Sequence, residues 1–110
     1  MKMTIKFEDW KKLDIRVGEI KEVNDHPNAN KLYVMKVDIG DEVRNIVAGI
    51  KQNYNKEELV GKKIIVFCNL EPATFRGVKS EAMLLAAADK DIPIVLITQE
   101  KEIKSEAKVE

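Results

Sequence analysis

Hydrophobic and polar residues alternate with a period of two along much of this chain, a pattern typical of β-strands with one buried face. The first such stretch begins at Asp14, where Ile15 and Val17 flank Arg16. Its apolar phase changes after Gly18. We therefore predict one long strand with a bulge or sharp bend at that glycine. A long bent first strand would let a small barrel use it in two sheets.

Further strands are predicted by β-branched and apolar runs between clusters of turn-forming residues. They span residues 32–39, 43–50, 64–70, 81–88 and 92–98. Pro93 lies near the start of the last run, where the edge of a sheet tolerates it. Residues 24–30 and 71–77 are rich in turn formers and are predicted as loops.

One convincing helix is predicted between the third and fourth strands. Asn55 can cap it, and Glu58 lies at the third helical position, where it completes a capping box. Gly61 ends this helix after less than two turns. The sequence further indicates a short helical turn within residues 4–13 and a charged, frayed or helical tail over residues 99–110.

This order of elements is typical of an all-β protein with an OB fold, a five-stranded barrel with a short helix between strands three and four. The pattern alone also allows an SH3-like barrel or a small β-sandwich. A length of 110 residues fits one domain. We predict an N-terminal helical extension over residues 1–12, the barrel over 13–98 and the tail over 99–110.

Charge and cysteine content narrow the class of protein. The 19 basic and 19 acidic residues cancel, which argues against strong, indiscriminate phosphate binding because that requires surplus positive charge. A nucleic-acid site must then arise from the placement of charges. The single Cys68 lies in an apolar run, and we interpret it as a buried thiol in a reducing compartment. With no apolar run near the ~20 residues of a membrane helix, we expect a cytoplasmic protein without a membrane partner.

Catalysis has little support in the sequence. One histidine and one cysteine cannot form a zinc site, and no glycine-rich phosphate loop is visible. His26 precedes Pro27 in a predicted loop, and we interpret it as structural. We predict neither a cofactor nor a metal, and no enzymatic activity.

A series of short motifs allows a more specific prediction than the order of elements does. They are FEDW at 7–10, DIRVG at 14–18, HPNANKL at 26–32, RNIVAGI at 44–50, LVGK at 59–62, NLEP at 69–72, RGVKSEAM at 76–83 and LLAA at 84–87. Together they resemble the tRNA-binding OB domain of the methionyl-tRNA synthetase C-terminal and beta-subunit family, which includes stand-alone dimeric tRNA-binding proteins. The resemblance covers residues 7–98.

This resemblance implies a non-catalytic protein that recognises the folded shape of tRNA with little sequence preference. It implies an accessory role or a beta-subunit role for a methionyl-tRNA synthetase, and a homodimer. A chain that begins with methionine and holds this domain alone is similar to the free-standing and beta-subunit forms.

Candidate RNA-binding residues lie on the second and third strands and on the loop after the fourth, where OB barrels bind nucleic acid. Lys31 and Arg44 can meet phosphate, and Asn69 and Ser80 can bond phosphate or ribose hydroxyls. The resemblance adds Ser80, Glu81 and Met83. The predicted site comprises Lys31, Arg44, Asn69, Arg76, Lys79, Ser80, Glu81 and Met83.

Other roles for some of these residues stay open. Lys31 and Arg44 can be solvated charges, Asn69 can anchor the backbone of its own loop, and Met83 can belong to the core. Arg16 can pair with an acidic neighbour.

The chain also departs from the family pattern. Glu71, Ala73 and Thr74 stand where many relatives carry basic residues, Ala82 replaces a glycine, and Ala48 replaces a serine. The first departure implies modest tRNA affinity. Aromatic residues make up 5% of the chain, which favours a folded RNA surface over a stacked single strand.

The alternative is a chaperone-like or protein-interaction OB module of an export-chaperone-related branch. A large exposed apolar patch would favour that function. A clustered face of Lys31, Arg44, Arg76 and Lys79 would favour RNA.

Overall fold

The alternating runs form antiparallel strands in the computed structural model, which describes residues 3–91 and 94–110. In chain order the elements are α1 (Phe7–Trp10), β1 (Ile15–Asp25), β2 (Tyr33–Asp38), β3 (Val43–Ala48), α2 (Lys56–Leu59), β4 (Lys63–Phe67), β5 (Ala73–Phe75), β6 (Val78–Ser80), β7 (Met83–Leu84), β8 (Ala86–Ala87) and β9 (Val95–Leu96). Five strands make one sheet in the order β3-β2-β1-β4-β7. The all-β, OB-like class and the short helix between β3 and β4 are confirmed.

Strand β1 serves two partners, as predicted for a long first strand. Residues 15–19 pair with β4 and residues 19–25 pair with β2. The bulge predicted at Gly18 is wrong, because the register shifts between Ile20 and Glu22. Gly18 instead faces the crowded interior, where a Cβ would lie 2.8 Å from Val37 Cγ1.

The apolar phase changes at Gly18 because β1 is covered on two faces. Ile20 belongs to the barrel core, whereas Ile15 and Val17 are buried without joining that cluster. Adjacent strand residues point to opposite faces, so Val17 faces away from the interior that Gly18 enters. A second covering element must therefore lie outside the barrel.

That covering element is the C-terminal tail, and the prediction of a frayed or helical tail is wrong. Arg16 and Lys108 form an antiparallel bridge. The Val17 N–H donates to the Ala107 carbonyl at 2.8 Å, and the Val109 N–H donates to the Ile15 carbonyl at 2.8 Å. Strand β2 pairs with β1 only from Glu19 onward, so the tail satisfies backbone groups that would otherwise lack partners.

Helix α2 closes one end of the barrel with a fully buried Leu59. The Glu58 carboxylate accepts a hydrogen bond from the Asn55 N–H at 2.8 Å, as the predicted capping box requires. Gly61 follows with φ +89°, a left-handed conformation that glycine adopts without steric cost. The predicted start and end of this helix are confirmed.

The loop predicted over residues 71–77 is wrong, since β5 and β6 form a hairpin there. Phe75 pairs with Val78, which leaves a two-residue turn of Arg76 and Gly77 with φ of 52° and 89°. Two positive φ angles define the turn that suits the twist of a hairpin.

The remaining strands are shorter than predicted. The run over 81–88 splits into β7 and β8, and β9 pairs with β8. The last predicted strand began at residue 92, but Ile92 and Pro93 lie outside the described residues, and so does the predicted edge position of that proline. Among the residues that the structure describes, no helix is long and apolar enough to cross a membrane.

Candidate nucleic-acid interface

The β5–β6 hairpin is fastened to the β1–β2 loop by two side chains. His26 is buried, its Nδ1 accepts the Asn28 N–H at 2.9 Å, and its Nε2 lies 2.8 Å from the Phe75 carbonyl. Because Nδ1 accepts, the ring proton must lie on Nε2, which donates to that carbonyl. Asn28 Nδ2 donates to the Arg76 carbonyl at 3.2 Å. His26 is thus structural, as its loop position predicted.

Two of the predicted site residues, Arg44 and Glu81, join β3 to the segments that follow β4 and β6. Arg44 Nη1 donates to the carbonyls of Cys68 at 2.9 Å and Glu81 at 3.1 Å. Its Nε donates to the Glu42 carboxylate, which raises the pKa of the guanidinium. Glu81 Oε1 accepts the Asn45 N–H at 2.9 Å. Both side chains therefore form hydrogen bonds within the fold.

Ser80 and Asn69 also form hydrogen bonds within the fold. Ser80 is buried, and its Oγ accepts the Val47 N–H and donates to the Ala82 carbonyl, both at 3.0 Å. Asn69 accepts the Asp14 N–H and donates to the Lys12 carbonyl, both at 2.7 Å. Asn69 thus anchors the backbone between α1 and β1 rather than the backbone of its own loop.

Arg16 pairs with acidic neighbours, as the sequence analysis allowed. Its Nη2 and Nε donate to the two carboxylate oxygens of Asp14 at 2.8 and 2.9 Å. A further bond joins Nη1 to Asp41 at 2.9 Å. The bonded guanidinium lowers the pKa of the Asp14 carboxyl.

Lys31, Arg76 and Lys79 remain available to a ligand. All three are exposed, and within residues 3–91 and 94–110 none of their side chains has an ion pair or a hydrogen bond. Lys31 lies in the β1–β2 loop, Arg76 at the hairpin tip and Lys79 on β6. Since His26 and Asn28 fasten that loop to the hairpin, these cations lie on one joined unit. Arg44, the fourth cation of the predicted face, is instead bonded to Glu42 and to the carbonyls of Cys68 and Glu81.

An apolar groove lies beside the same hairpin. Its centre is formed by Val47, Phe75 and Met83, which line two adjoining depressions of about 90 and 310 Å³. Phe75 is 44% exposed and Met83 is 43% exposed, so Met83 is not a core residue. Leu70 and Glu71 border the smaller depression. We call this surface the Phe75 groove.

Val47, Leu70 and Phe75 are absent from the predicted site. One signal in the sequence was available: the side chains of Phe75 and Val78 flank an Arg-Gly pair, as strand residues flank a hairpin turn. The turn was not predicted because the usual pairs for two positive φ angles begin with asparagine, aspartate or glycine.

Two departures from the family pattern have little effect on this surface. Ala48 is buried in the core, so the replacement of a serine there removes no exposed hydroxyl. Ala82 is not among the described non-glycine residues with positive φ, so its backbone accommodates alanine without strain. Glu71, in contrast, is exposed at the edge of the groove.

Comparison with protein families gives one match over most of the chain. A family model described as a putative tRNA binding domain matches residues 15–108. The chain is 55% identical over 107 residues to the methionine–tRNA ligase of Pyrococcus abyssi, and the match covers 97% of this chain and 15% of that protein. The chain therefore spans about 15% of the length of that relative.

Solved structures with the same fold cover nearly the whole chain. The MetRS related protein from Pyrococcus horikoshii has a TM-score of 0.90 and 35% identity, with 98% of this chain and 99% of that chain covered. The CsaA chaperone protein from Picrophilus torridus has a TM-score of 0.88 and 37% identity, with 97% of this chain and 100% of that chain covered.

Proposed function

This chain belongs to the family of putative tRNA-binding domains, and we propose that it is a non-catalytic, structure-specific tRNA-binding protein. The observation that carries the proposal is the set of three exposed cations, Lys31, Arg76 and Lys79, on the fastened loop and hairpin. Phosphate contacts supply affinity without reading sequence, which suits recognition of a folded RNA by its shape.

The proposed affinity for tRNA is modest because the chain has no surplus of positive charge. Each neutralised phosphate contributes roughly −0.7 to −0.9 to the slope of the logarithm of the association constant against the logarithm of salt concentration. For three contacts, a fourfold rise in salt weakens binding by roughly 20- to 40-fold. Glu71 opposes phosphate nearby, which limits the affinity further.

A competition assay tests this function. Labelled folded tRNA is bound to the protein and displaced with unlabelled folded tRNA, the same RNA unfolded by removal of magnesium and heating, or duplex DNA of equal length. We expect folded tRNA to displace the label at the lowest concentration. Equal displacement by all three competitors, or no initial binding, would contradict shape-specific tRNA recognition.

The proposed partner is a methionyl-tRNA synthetase, for which the chain would act as an accessory or beta subunit in the cytoplasm. The relative from Pyrococcus abyssi is named methionine–tRNA ligase and carries the matching region as 15% of its length. If the partnership holds, adding this chain lowers the KM of the synthetase for tRNA and leaves kcat unchanged. An unchanged KM would count against it.

We propose a homodimer as the working form, following the family resemblance. Exposed apolar side chains on the segments near the two termini support it. They include Ile5, Phe7, Val95, Ile97 and Ile103. Pairing would cover these residues and bring two cationic hairpins into one assembly.

A second candidate function is a protein-interaction module. The Phe75 groove is an exposed apolar surface, and a solved structure with the same fold is named a CsaA chaperone protein. The RNA function is favoured because three exposed cations lie on the hairpin and on the loop that is fastened to it. Binding of unfolded polypeptide, undisturbed by excess tRNA, would favour the second candidate.

A further inference from the structure

We infer that the Phe75 groove is a subsite for one unstacked nucleobase of the bound RNA. The inference rests on the proposed tRNA-binding function and deepens it, because it assigns a ligand to a surface that the cations do not explain. Phosphate contacts account for Lys31, Arg76 and Lys79. They leave the exposed ring of Phe75 and the exposed side chain of Met83 without a role.

The lining of the groove suits a base better than a phosphate. Among the residues that the structure describes, the side chains around both depressions include no lysine or arginine, and the charged residue at the edge is Glu71. A carboxylate repels a phosphate, whereas an uncharged planar base loses little by lying next to it. The apolar walls supply the dry contact that a base face needs.

Phe75 and Met83 are side chains on which a base can stack. Every base presents a π-face to an aromatic ring, so such stacking tolerates any sequence. Methionine adapts its shape through three rotatable bonds and a polarisable sulfur. A sequence-tolerant subsite fits a protein that recognises tRNA shape.

The hairpin separates the apolar surface from the cations. Phe75 and Val78 pair across β5 and β6, as do Thr74 and Lys79. Successive strand residues point to opposite faces, so Phe75 lies on the groove face and Lys79 on the outer face. Arg76 follows Phe75 at the tip. A nucleotide with its base in the groove can therefore reach Arg76 at the tip with a phosphate.

The wall that carries Phe75 is preorganised. His26 holds the Phe75 carbonyl at 2.8 Å, and Ser80 fixes β6 to β3 through the Val47 N–H at 3.0 Å. His26 and Ser80 are positioning residues, since both are buried. The ring itself is outside the core cluster, so its removal should leave the barrel intact.

The proposal is tested by tRNA affinity across a salt series for Phe75→Ala, Arg76→Ala and the control Val60→Ala. Val60 is 52% exposed and follows α2, away from the groove. Stacking does not depend on counterions, so Phe75→Ala should raise Kd by roughly 5- to 150-fold at every salt concentration without changing the slope. Arg76→Ala should reduce the slope by about 0.7 to 0.9, and Val60→Ala should change neither quantity.

The base itself is identified by dimethyl sulfate modification of unpaired bases in the tRNA. Wild type should protect at least one loop base that Phe75→Ala leaves reactive, while thermal unfolding shows that both proteins are folded. The subsite is overturned if Phe75→Ala binds tRNA as wild type does and protects the same bases. It is also overturned if an apolar peptide binds wild type, loses affinity for Phe75→Ala, and leaves tRNA binding unchanged. In both cases tRNA binding by the wild-type protein would stand, so failure of the subsite is distinguishable from failure of the proposed function.

Discussion

At the scale of single residues, the predicted site contains two kinds of polar side chain: those that already form hydrogen bonds within the fold and those that are exposed to a ligand. Arg44, Asn69, Ser80 and Glu81 complete hydrogen bonds within the barrel. Ser80 is buried, so an RNA could recruit its hydroxyl only by breaking the bonds to Val47 and Ala82, and an unsatisfied buried group costs about 1–3 kcal/mol. The exposed cations carry no such cost, so we assign the phosphate contacts to them.

The double substitution Arg76→Ala with Lys79→Ala tests that assignment. We expect about tenfold or greater loss of tRNA affinity at low salt and a slope smaller by about 1.4 to 1.8, since two phosphate contacts are lost. The melting temperature should stay the same because neither side chain has a partner in the described part of the chain. Both quantities come from a binding titration and a thermal unfolding curve.

Lys101→Ala with Lys104→Ala is the matched control, because both lysines are exposed on the tail, provided that light scattering gives this variant the same mass as wild type. This pair removes the same charge but leaves the hairpin intact. If the control weakens tRNA binding as much as the hairpin pair does, net charge decides affinity and the assignment is wrong.

The Arg16–Asp14 pair predicts how stability depends on pH. Arg16 holds the pKa of Asp14 below the usual 3.8. The stabilisation is therefore complete above that unfolded-state value and is lost as the pH falls through the lowered folded-state pKa. Asp14 is partly exposed, so we expect a contribution of no more than about 1 kcal/mol.

Asp14→Asn should then lower the free energy of unfolding at pH 7 and flatten its decline in acid. Urea unfolding at neutral and acidic pH measures both. An equal decline in acid for the variant and wild type would show that other carboxylates govern the acid response.

At the scale of elements, the sequence predicted the strands that hydrophobic alternation determines and the helix that capping residues determine. Strands β1 to β4 and helix α2 follow from local patterns, and Gly61 ended the helix as expected. The bulge in β1 was misplaced because the phase change at Gly18 arises from two covering layers, which no local pattern distinguishes from a bend. The site shows the same limit. The sequence identified Arg44 as a candidate cation, but it could not show that this side chain donates to the carbonyls of Cys68 and Glu81, which are distant along the chain.

Two glycines, one in the hairpin turn and one after α2, allow a matched pair of alanine substitutions. Gly77 and Gly61 both have φ +89° and nothing within 4 Å of an added Cβ. Alanine at each site therefore incurs the same conformational penalty, about 1–2 kcal/mol. Both variants should lose similar stability in urea unfolding.

Only Gly77→Ala should also weaken tRNA binding, because it distorts the turn that carries Arg76 and the strand that carries Phe75. Gly61→Ala lies at the end of α2 and should bind tRNA normally. Normal binding by Gly77→Ala would show that the hairpin is not part of the interface.

At the scale of the whole molecule, the tail and the N-terminal segment build a surface apart from the hairpin. The tail pairs with the part of β1 that β2 does not reach, and Phe7 of α1 stays 70% exposed. Exposed apolar side chains of this kind often mark an interface. This is the surface at which the proposed homodimer would form.

Light scattering should accordingly give twice the mass of one chain, and Phe7→Asp with Ile103→Asp should shift it to the monomer. Each barrel would keep its hairpin, so the monomeric variant should bind tRNA more weakly without losing salt dependence. A wild-type mass of one chain would refute the dimer.

The affinity of the wild-type protein for folded tRNA across a salt series tests the central claim most directly. If Lys31, Arg76 and Lys79 are held at fixed positions that match the shape of tRNA, the protein should bind folded tRNA more tightly than duplex DNA. The three cations of one barrel also predict a slope of about −2 to −3. A slope near zero, or equal affinity for duplex DNA at every salt concentration, would contradict the account.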